Sequence, residues 1–338
     1  MDRELVRALL DQAGTTRNRD VLADVFHIAY DLAGDDADRL DLKITRDALR
    51  EMRTAYRLFA PYRDVRKVTV FGSARTHASD PLYTHARNLA AELADAGWMV
   101  VTGAGPGIMA AATEGAGAER SLGVTIRLPF EETSVGPLSG SDRVVSMKYF
   151  FTRKLMLMKE SSGFVSLPGG FGTLDETLEL LTLMQTGKAT PAPVVLLDVP
   201  GQTYWEGWEA FVRDELVGPG WVSPHDVNLY TVTDDADEAV DAIRGFWRNY
   251  QGLRWVGDRL VIRLRAEPTA AEVARMNEEF ADLAGESGIQ PTGPLPAEVS
   301  DADALHLHRL VLNYDVRKGG RFREMIRALN GLETAPPL

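Results

Sequence analysis

KVTVFGS (67–73) and WMVVTGAGPGIM (98–109), joined by a helical pattern from Asp80 to Ala96, decide the fold of this 338-residue chain. A β-branched run, a helix and a second apolar run make a βαβ unit, because neighbouring strands can lie parallel only through a crossover. The same alternation continues outward. Apolar runs recur at GVTIRL (123–128), GFVSLPGG (163–170), PVVLLDV (193–199) and NLYTVT (228–233), with helical patterns between most of them and a last helix over 235–249. The expected fold is therefore α/β, with a Rossmann-like doubly wound parallel sheet over residues 63–250.

The flanks break that rhythm. Residues 1–62 read as a helical N-terminal region: Leu5, Leu9 and Leu10 share a face, and Ile44, Leu49, Met52, Tyr56 and Phe59 recur at helical spacing until Pro61. Residues 252–335 read as a small α+β domain. It would contain a strand RLVIRL (259–264), a helix over 269–284, a Gly/Pro-rich stretch over 285–296, a strand HLHRLVLNYD (306–315) and a final helix.

With 45% hydrophobic and 25% charged residues, the composition is that of a globular protein with a real core. A net charge of -12, from 49 acidic and 37 basic residues, argues against nucleic acid as a partner, since neutralising backbone phosphates needs a basic face. No cysteine is present, which excludes disulfides, thiolate metal sites and a thiol nucleophile, and agrees with a reducing compartment. The opening MDRELVRALLDQAG lacks the apolar stretch of a signal peptide, and no run of about 18 apolar residues occurs. A cytoplasmic protein away from membranes is expected.

Three strand ends run into glycine. Gly72 and Ser73 follow the first strand, Gly103, Gly105, Gly107 and Met109 the second, and Pro168, Gly169, Gly170, Gly172 and Thr173 a later one. Strand carboxyl ends form the ligand crevice of an open α/β sheet, and helix N-termini behind such loops supply unpaired N–H donors. Together they predict a phosphate cradle built without Lys or Arg. Any single loop is equally well read as a tight turn. A nicotinamide site would need GxGxxG after the first strand, where FGSAR (71–75) stands instead.

Glu176 ends PGGFGTLDE (168–176), and its spacing from Thr173 is that of a capping box. If the loop holds a 5′-phosphate, a first-turn carboxylate also faces the attached ribose. Upstream, SMKYFFTRKLMLMKES (146–161) reads as a helix, with Met147, Phe150, Phe151, Leu155 and Met158 giving it apolar surface for the core or for a partner subunit. Arg153 and Lys154, taken alone, read as solvated charges on that helix.

Arg153-Lys154, an apolar strand and PGGFGTLDE resemble the LOG family, phosphoribohydrolases known from cytokinin activation and long mislabelled as lysine decarboxylases. The likeness covers roughly residues 66–250, and Gly103 to Met109 resembles the family's second loop, with Ala104 in place of its central glycine. The resemblance implies that Arg153 and Glu176 are the catalytic pair, that Gly169, Gly170, Gly172 and Thr173 bind the nucleotide phosphate, and that Lys154 and Pro168 belong to the same motif. It implies hydrolysis of a purine or cytokinin-type nucleoside 5′-monophosphate to free base and ribose 5-phosphate, with no cofactor or metal. A homodimer or larger homo-oligomer is implied as well.

Chemistry agrees with that implication. Cleaving the glycosidic bond passes through a ribosyl cation, which a nearby carboxylate stabilises, while an arginine keeps its charge and acts as an electrostatic partner. No lysine stands in a context suited to a pyridoxal phosphate imine. A non-catalytic nucleotide or molybdenum-cofactor carrier or sensor of the same fold is the competing class. Ser73, Arg75 and Met147 are candidates for base contacts. Arg317, Lys318, Arg321, Arg323 and Arg327 concentrate charge near the C-terminus; they read first as a solvated surface, second as an anionic-effector site or an oligomer interface.

Overall fold

The computed structural model describes residues 2–128 and 136–338. They form two compact units, Met1–Tyr56 and Arg57–Leu338. In the first, α1 (Arg3–Gln12) is capped by Asp2 and tied to α2 (Arg19–Asp31) by an Arg19–Asp11 ion pair of 2.6 Å. The buried face of α1 is Val6 and Leu10, one turn apart, while Leu5 and Leu9 are exposed, contrary to expectation. A third helix, α3 (Arg39–Phe59), runs across the division, and its buried residues are Ala48, Glu51, Ala55 and Phe59. Leu49 and Tyr56, expected on that face, are exposed.

The second unit is built on the predicted alternation. Chain order runs β1 (Lys67–Phe71), α4 (Pro81–Asp95), β2 (Met99–Thr102), α5 (Ile108–Ala116), β3 (Ser121–Ile126), β4 (Val144–Met147) and α6 (Phe150–Lys159). It continues through β5 (Gly163–Ser166), α7 (Phe171–Gln185), β6 (Val194–Leu197), α8 (Tyr204–Phe211), β7 (Thr231–Thr233) and α9 (Ala236–Gly245). These seven strands make one sheet in the order β4-β3-β2-β1-β5-β6-β7, with every pairing parallel. Val68 and Val70 point to one face, where Leu89, Ile108 and Ile243 bring α4, α5 and α9 against them. Thr69 points to the other face, donating its hydroxyl to the Leu157 carbonyl of α6 at 2.9 Å. Helices on both faces make the sheet doubly wound, as expected.

One expected helix is shortened. Residues 144–147 form the edge strand β4, so α6 starts only at Phe150 and Ser146 is not helical. Periodicity alone did not separate the two, because an apolar edge strand runs straight into an apolar helix start.

After α9 come β8 (Tyr250–Val256), β9 (Arg259–Leu264), α10 (Ala270–Glu279), α11 (Ala281–Ala284), β10 (Gln290–Thr292), α12 (Pro296–Ser300), β11 (His308–Leu312) and α13 (Gly319–Asn330). The strands form an antiparallel sheet ordered β10-β11-β9-β8. Leu260, Ile262, Leu310 and Leu312 on one face meet Met276, Phe280, Phe322 and Ile326 of the helices. The single helix expected over 269–284 is broken at Phe280, and β8 and β10 were not foreseen. Helix α13 is tied to the end of α9 and the start of β8: Asn330 Oδ1 accepts the amides of Asn249 and Tyr250 at 2.8 Å, and its Nδ2 donates to the Phe246 carbonyl at 2.6 Å.

Candidate active site

The strand order reverses between β1 and β5, since β2 lies on one side of β1 and β6 on the far side of β5. Such a switch point opens a crevice beyond the strand ends, because successive crossovers leave in opposite directions. The loops that close it are bonded to one another. Ser73 N–H donates to the Pro168 carbonyl at 3.3 Å, and the Ser73 carbonyl accepts from Ile108 N–H at 3.0 Å. Three glycine loops thus become one floor.

Above that floor lies a cleft of about 860 Å³ lined by Gly72, Ser73, Gly103, Met109, Arg153, Gly169, Gly170, Gly172, Thr173 and Glu176. Arg75, Ile126, Leu128, Phe150, Phe171 and Tyr204 line it too. Five expected residues lie outside its lining. Gly105 makes room for the Met109 methyl, Gly107 for the Ser73 and Ala74 backbone, and Pro168 supplies the carbonyl already described. Lys154 is turned to Asp175 at 2.8 Å and Glu179 at 2.6 Å, so it braces α6 against α7. Neighbours on a helix point about 100° apart, so Arg153 facing the cleft sends Lys154 elsewhere. Met147, a candidate for the base, is fully buried in the core.

At the loop after β5, α7 begins at Phe171 with Gly170 as its N-cap residue, three positions earlier than a Thr173 cap would require. Thr173 and Glu176 are therefore inside the helix, and the expected capping box is absent. The amides of Gly170, Phe171 and Gly172 have no acceptor among the described residues. A Cβ at Gly170 or Gly172 would meet nothing within 4 Å, so space lies open in front of these donors. Unpaired N–H groups, the helix dipole and open space together suit an anion.

Glu176 follows one and a half turns on, with its side chain 6% exposed. Its Oε1 lies 3.5 Å from Arg153 Nη1, and its Oε2 is buried with no hydrogen-bond partner. Burial raises the Glu176 carboxyl to about 7, against the opposing pull of Arg153 and Lys154. Arg153 is itself held by its Nε–H donating to the Val124 carbonyl at 3.1 Å, and burial lowers its pKa while Glu176 opposes that. Gly103 is what lets the guanidinium sit there, since a Cβ at that position would collide with Nη2. Next to it, Ala104 adopts φ +53°. That left-handed conformation costs an L-residue about 1–2 kcal/mol, which explains a glycine at this position in the family pattern.

Tyr204 and Phe171 escaped sequence reading. Tyr204, at the start of α8, donates its hydroxyl to the Gly169 carbonyl at 2.8 Å, and Asp198 at the end of β6 accepts the Tyr204 amide at 3.1 Å. No local pattern announces a contact 35 residues distant. Replacing Tyr204 by Phe is expected to cost about 1 kcal/mol of stability and to raise KM several-fold more than it lowers kcat, as judged by thermal melts and steady-state kinetics. Phe171 is 93% exposed at the mouth of the cleft. Phe150, Phe151 and Leu155 are exposed and Met158 is buried, so the apolar surface expected on α6 is divided between solvent and core.

The family model described as "possible lysine decarboxylase" matches residues 107–243. Among the described residues no lysine lines the cleft. A protein of Oryza sativa subsp. japonica named probable cytokinin riboside 5′-monophosphate phosphoribohydrolase is 32% identical over 175 residues, covering 50% of this chain and 80% of that protein. One of Arabidopsis thaliana named cytokinin riboside 5′-monophosphate phosphoribohydrolase is 28% identical over 185 residues, covering 54% and 78%. Among solved structures, the molybdenum cofactor carrier protein of Chlamydomonas reinhardtii is similar at 24% identity and a TM-score of 0.38, covering 53% of this chain and 96% of that one. These matches leave about half of the chain unaccounted for. By its likeness to the rice protein over most of that protein's length, the chain belongs to the LOG family of phosphoribohydrolases.

Proposed function

We propose that this chain hydrolyses the N-glycosidic bond of a nucleoside 5′-monophosphate, releasing free base and ribose 5-phosphate. The observation that carries the reading is Glu176: a buried carboxyl in the same cleft as the open amides of Gly170 to Gly172, with Oε2 unpartnered among the described residues. With the 5′-phosphate on those amides and on the N-terminus of α7, the ribose lies towards Glu176. Ionised, that carboxylate stabilises positive charge growing at C1′ and takes a proton from the attacking water. The water oxygen bonds to C1′ and the C1′–N bond breaks with its electron pair leaving on the base; the proton that Glu176 took from the water then passes to the base nitrogen, which restores the carboxylate. Arg153 favours the ionised form of Glu176 against the effect of burial and stabilises the negative charge of the departing base. Met109, Ile126, Leu128 and Phe150 offer the base an apolar wall.

The test is chromatography of AMP, GMP, CMP, UMP and a cytokinin riboside 5′-monophosphate after incubation with the protein. Release of base and ribose 5-phosphate from at least one supports the reading; binding without release of base marks a carrier and refutes it. A pH profile tests the carboxylate. Because the ionised form is the active one and its pKa lies near 7, kcat/KM is expected to climb about tenfold per unit below that pH and to level off above it. A flat profile between pH 5 and 8 contradicts the role given to Glu176.

A further inference from the structure

A second cavity, of about 180 Å³, lies where the end of α7 and the segment after it meet the antiparallel sheet. Its walls are aromatic and aliphatic, including Trp255, Tyr314, Phe322 and Leu253. Its charged groups are Arg323 and Lys188, and no Asp or Glu lines it, although acids outnumber bases in this chain. Such a local excess of cations in an acidic protein is a chemical signature.

Arg323 is the unusual member of the C-terminal basic cluster. Arg317 pairs with Asp315 at 2.8 Å, Lys318 with Asp282 at 3.7 Å, and Arg321 with Asp282 at 3.4 Å and with Glu324. Arg323 and Arg327 have no ion-pair partner among the described residues, but Arg327 is exposed, whereas Arg323 has its Nε buried without a hydrogen-bond acceptor. One face of its guanidinium lies 4.4 Å from the Phe246 ring centroid. Burial lowers its pKa to about 10, which leaves it a cation at neutral pH. Arg323 is half-buried, and leaving its buried Nε–H without a partner is costly, so an anion that reaches it recovers part of that cost.

The volume limits which anion fits. A dry apolar cavity of roughly 150 Å³ accepts benzene, so 180 Å³ holds one six-membered ring with little to spare beyond a carboxylate. The carboxylate plane matches the guanidinium fork, and the ring meets the Trp255 and Tyr314 rings, themselves stacked at 6.2 Å. We infer that this cavity is a binding site for a single-ring aromatic carboxylate, the class of benzoate. The inference does not rest on the hydrolase reading, because the two cavities share no lining residue.

Calorimetric titration of benzoate and of neutral benzamide into the full chain tests it, with Arg323→Gln, Val316→Trp and Glu176→Gln as variants. Val316 lines the cavity and is 40% exposed, so a tryptophan there has room to fold and fills the space. Saturable benzoate binding is expected in the wild type and in Glu176→Gln, weakened by about tenfold or more in Arg323→Gln, in Val316→Trp and on exchange for benzamide. No saturable binding, equal binding of benzamide, unchanged binding in Val316→Trp, or loss confined to Glu176→Gln would each overturn the proposal. Should Arg323→Gln not fold, the benzamide and Val316→Trp arms decide alone.

Discussion

Replacing Glu176 by Gln is expected to lower kcat for nucleotide hydrolysis by about 10²–10⁴-fold while KM moves less than about threefold. Glutamine keeps the shape and fills the same space but neither carries the negative charge nor takes a proton. The proposed phosphate donors are main-chain amides of Gly170 to Gly172, which the substitution leaves in place. A large rise in KM with kcat preserved would refute the assignment.

The same variant makes a second, independent statement about stability. The Glu176 carboxyl is raised from 4.5 to about 7 in the folded chain by burial. A raised folded pKa favours the native state fully below the unfolded value, and that contribution is lost as pH rises through 7. Glutamine resembles the neutral acid at every pH. The variant should therefore melt with the wild type near pH 4.5 and above it at pH 8, where the gain is up to about 3 kcal/mol at 1.4 kcal/mol per unit. Loss of stability at pH 8 would show that the Arg153 pair outweighs the burial of charge.

The other large effect separates glycines that look alike in the sequence. Gly107 sits at φ +66°, and a Cβ there would run into the Ser73 carbonyl oxygen and lie 2.7 Å from the Ala74 carbonyl carbon. The obstacle is backbone of the segment after β1, with no flexible side-chain end to swing aside. Gly107→Ala is expected to cost about 2–5 kcal/mol, from the left-handed strain and from overpacking. Gly172 occupies the first turn of α7 with open space before it. Gly172→Ala should leave the melting temperature unchanged or raise it, since alanine is the better helix former by about 1 kcal/mol. It should nevertheless raise KM for the nucleotide by about tenfold, by setting a methyl where the anion approaches. Equal destabilisation by the two substitutions would remove the distinction.

Much of the fold is legible because the parallel sheet leaves a strong trace. Strands buried on both faces must be apolar throughout, so β1, β2, β3, β5 and β6 stand out as runs rather than alternations. β4, β8 and β10 do not. β4 is an edge strand leading directly into α6, β8 is half-buried with a register shift between Tyr250 and Gly252, and β10 carries Pro291. Edge strands tolerate such residues because one side makes no ladder.

The motif named Arg153, Glu176 and the glycines of one cleft, but three details needed the third dimension. Thr173 has capping spacing, yet α7 starts earlier. Lys154 adjoins Arg153 in sequence and faces acids on a different helix. Tyr204 holds the Gly169 carbonyl from a separate element.

Local chemistry, then, dictated the alternation of strands and helices and the residue types beside the switch point, since burial and turn geometry act on neighbours along the chain. Which glycines line the cleft, which of two adjacent cations meets Glu176, and which arginine of a basic cluster lines the second cavity were settled by packing between distant segments. Those choices depend on free energies of burial and pairing that exist only once the segments have met.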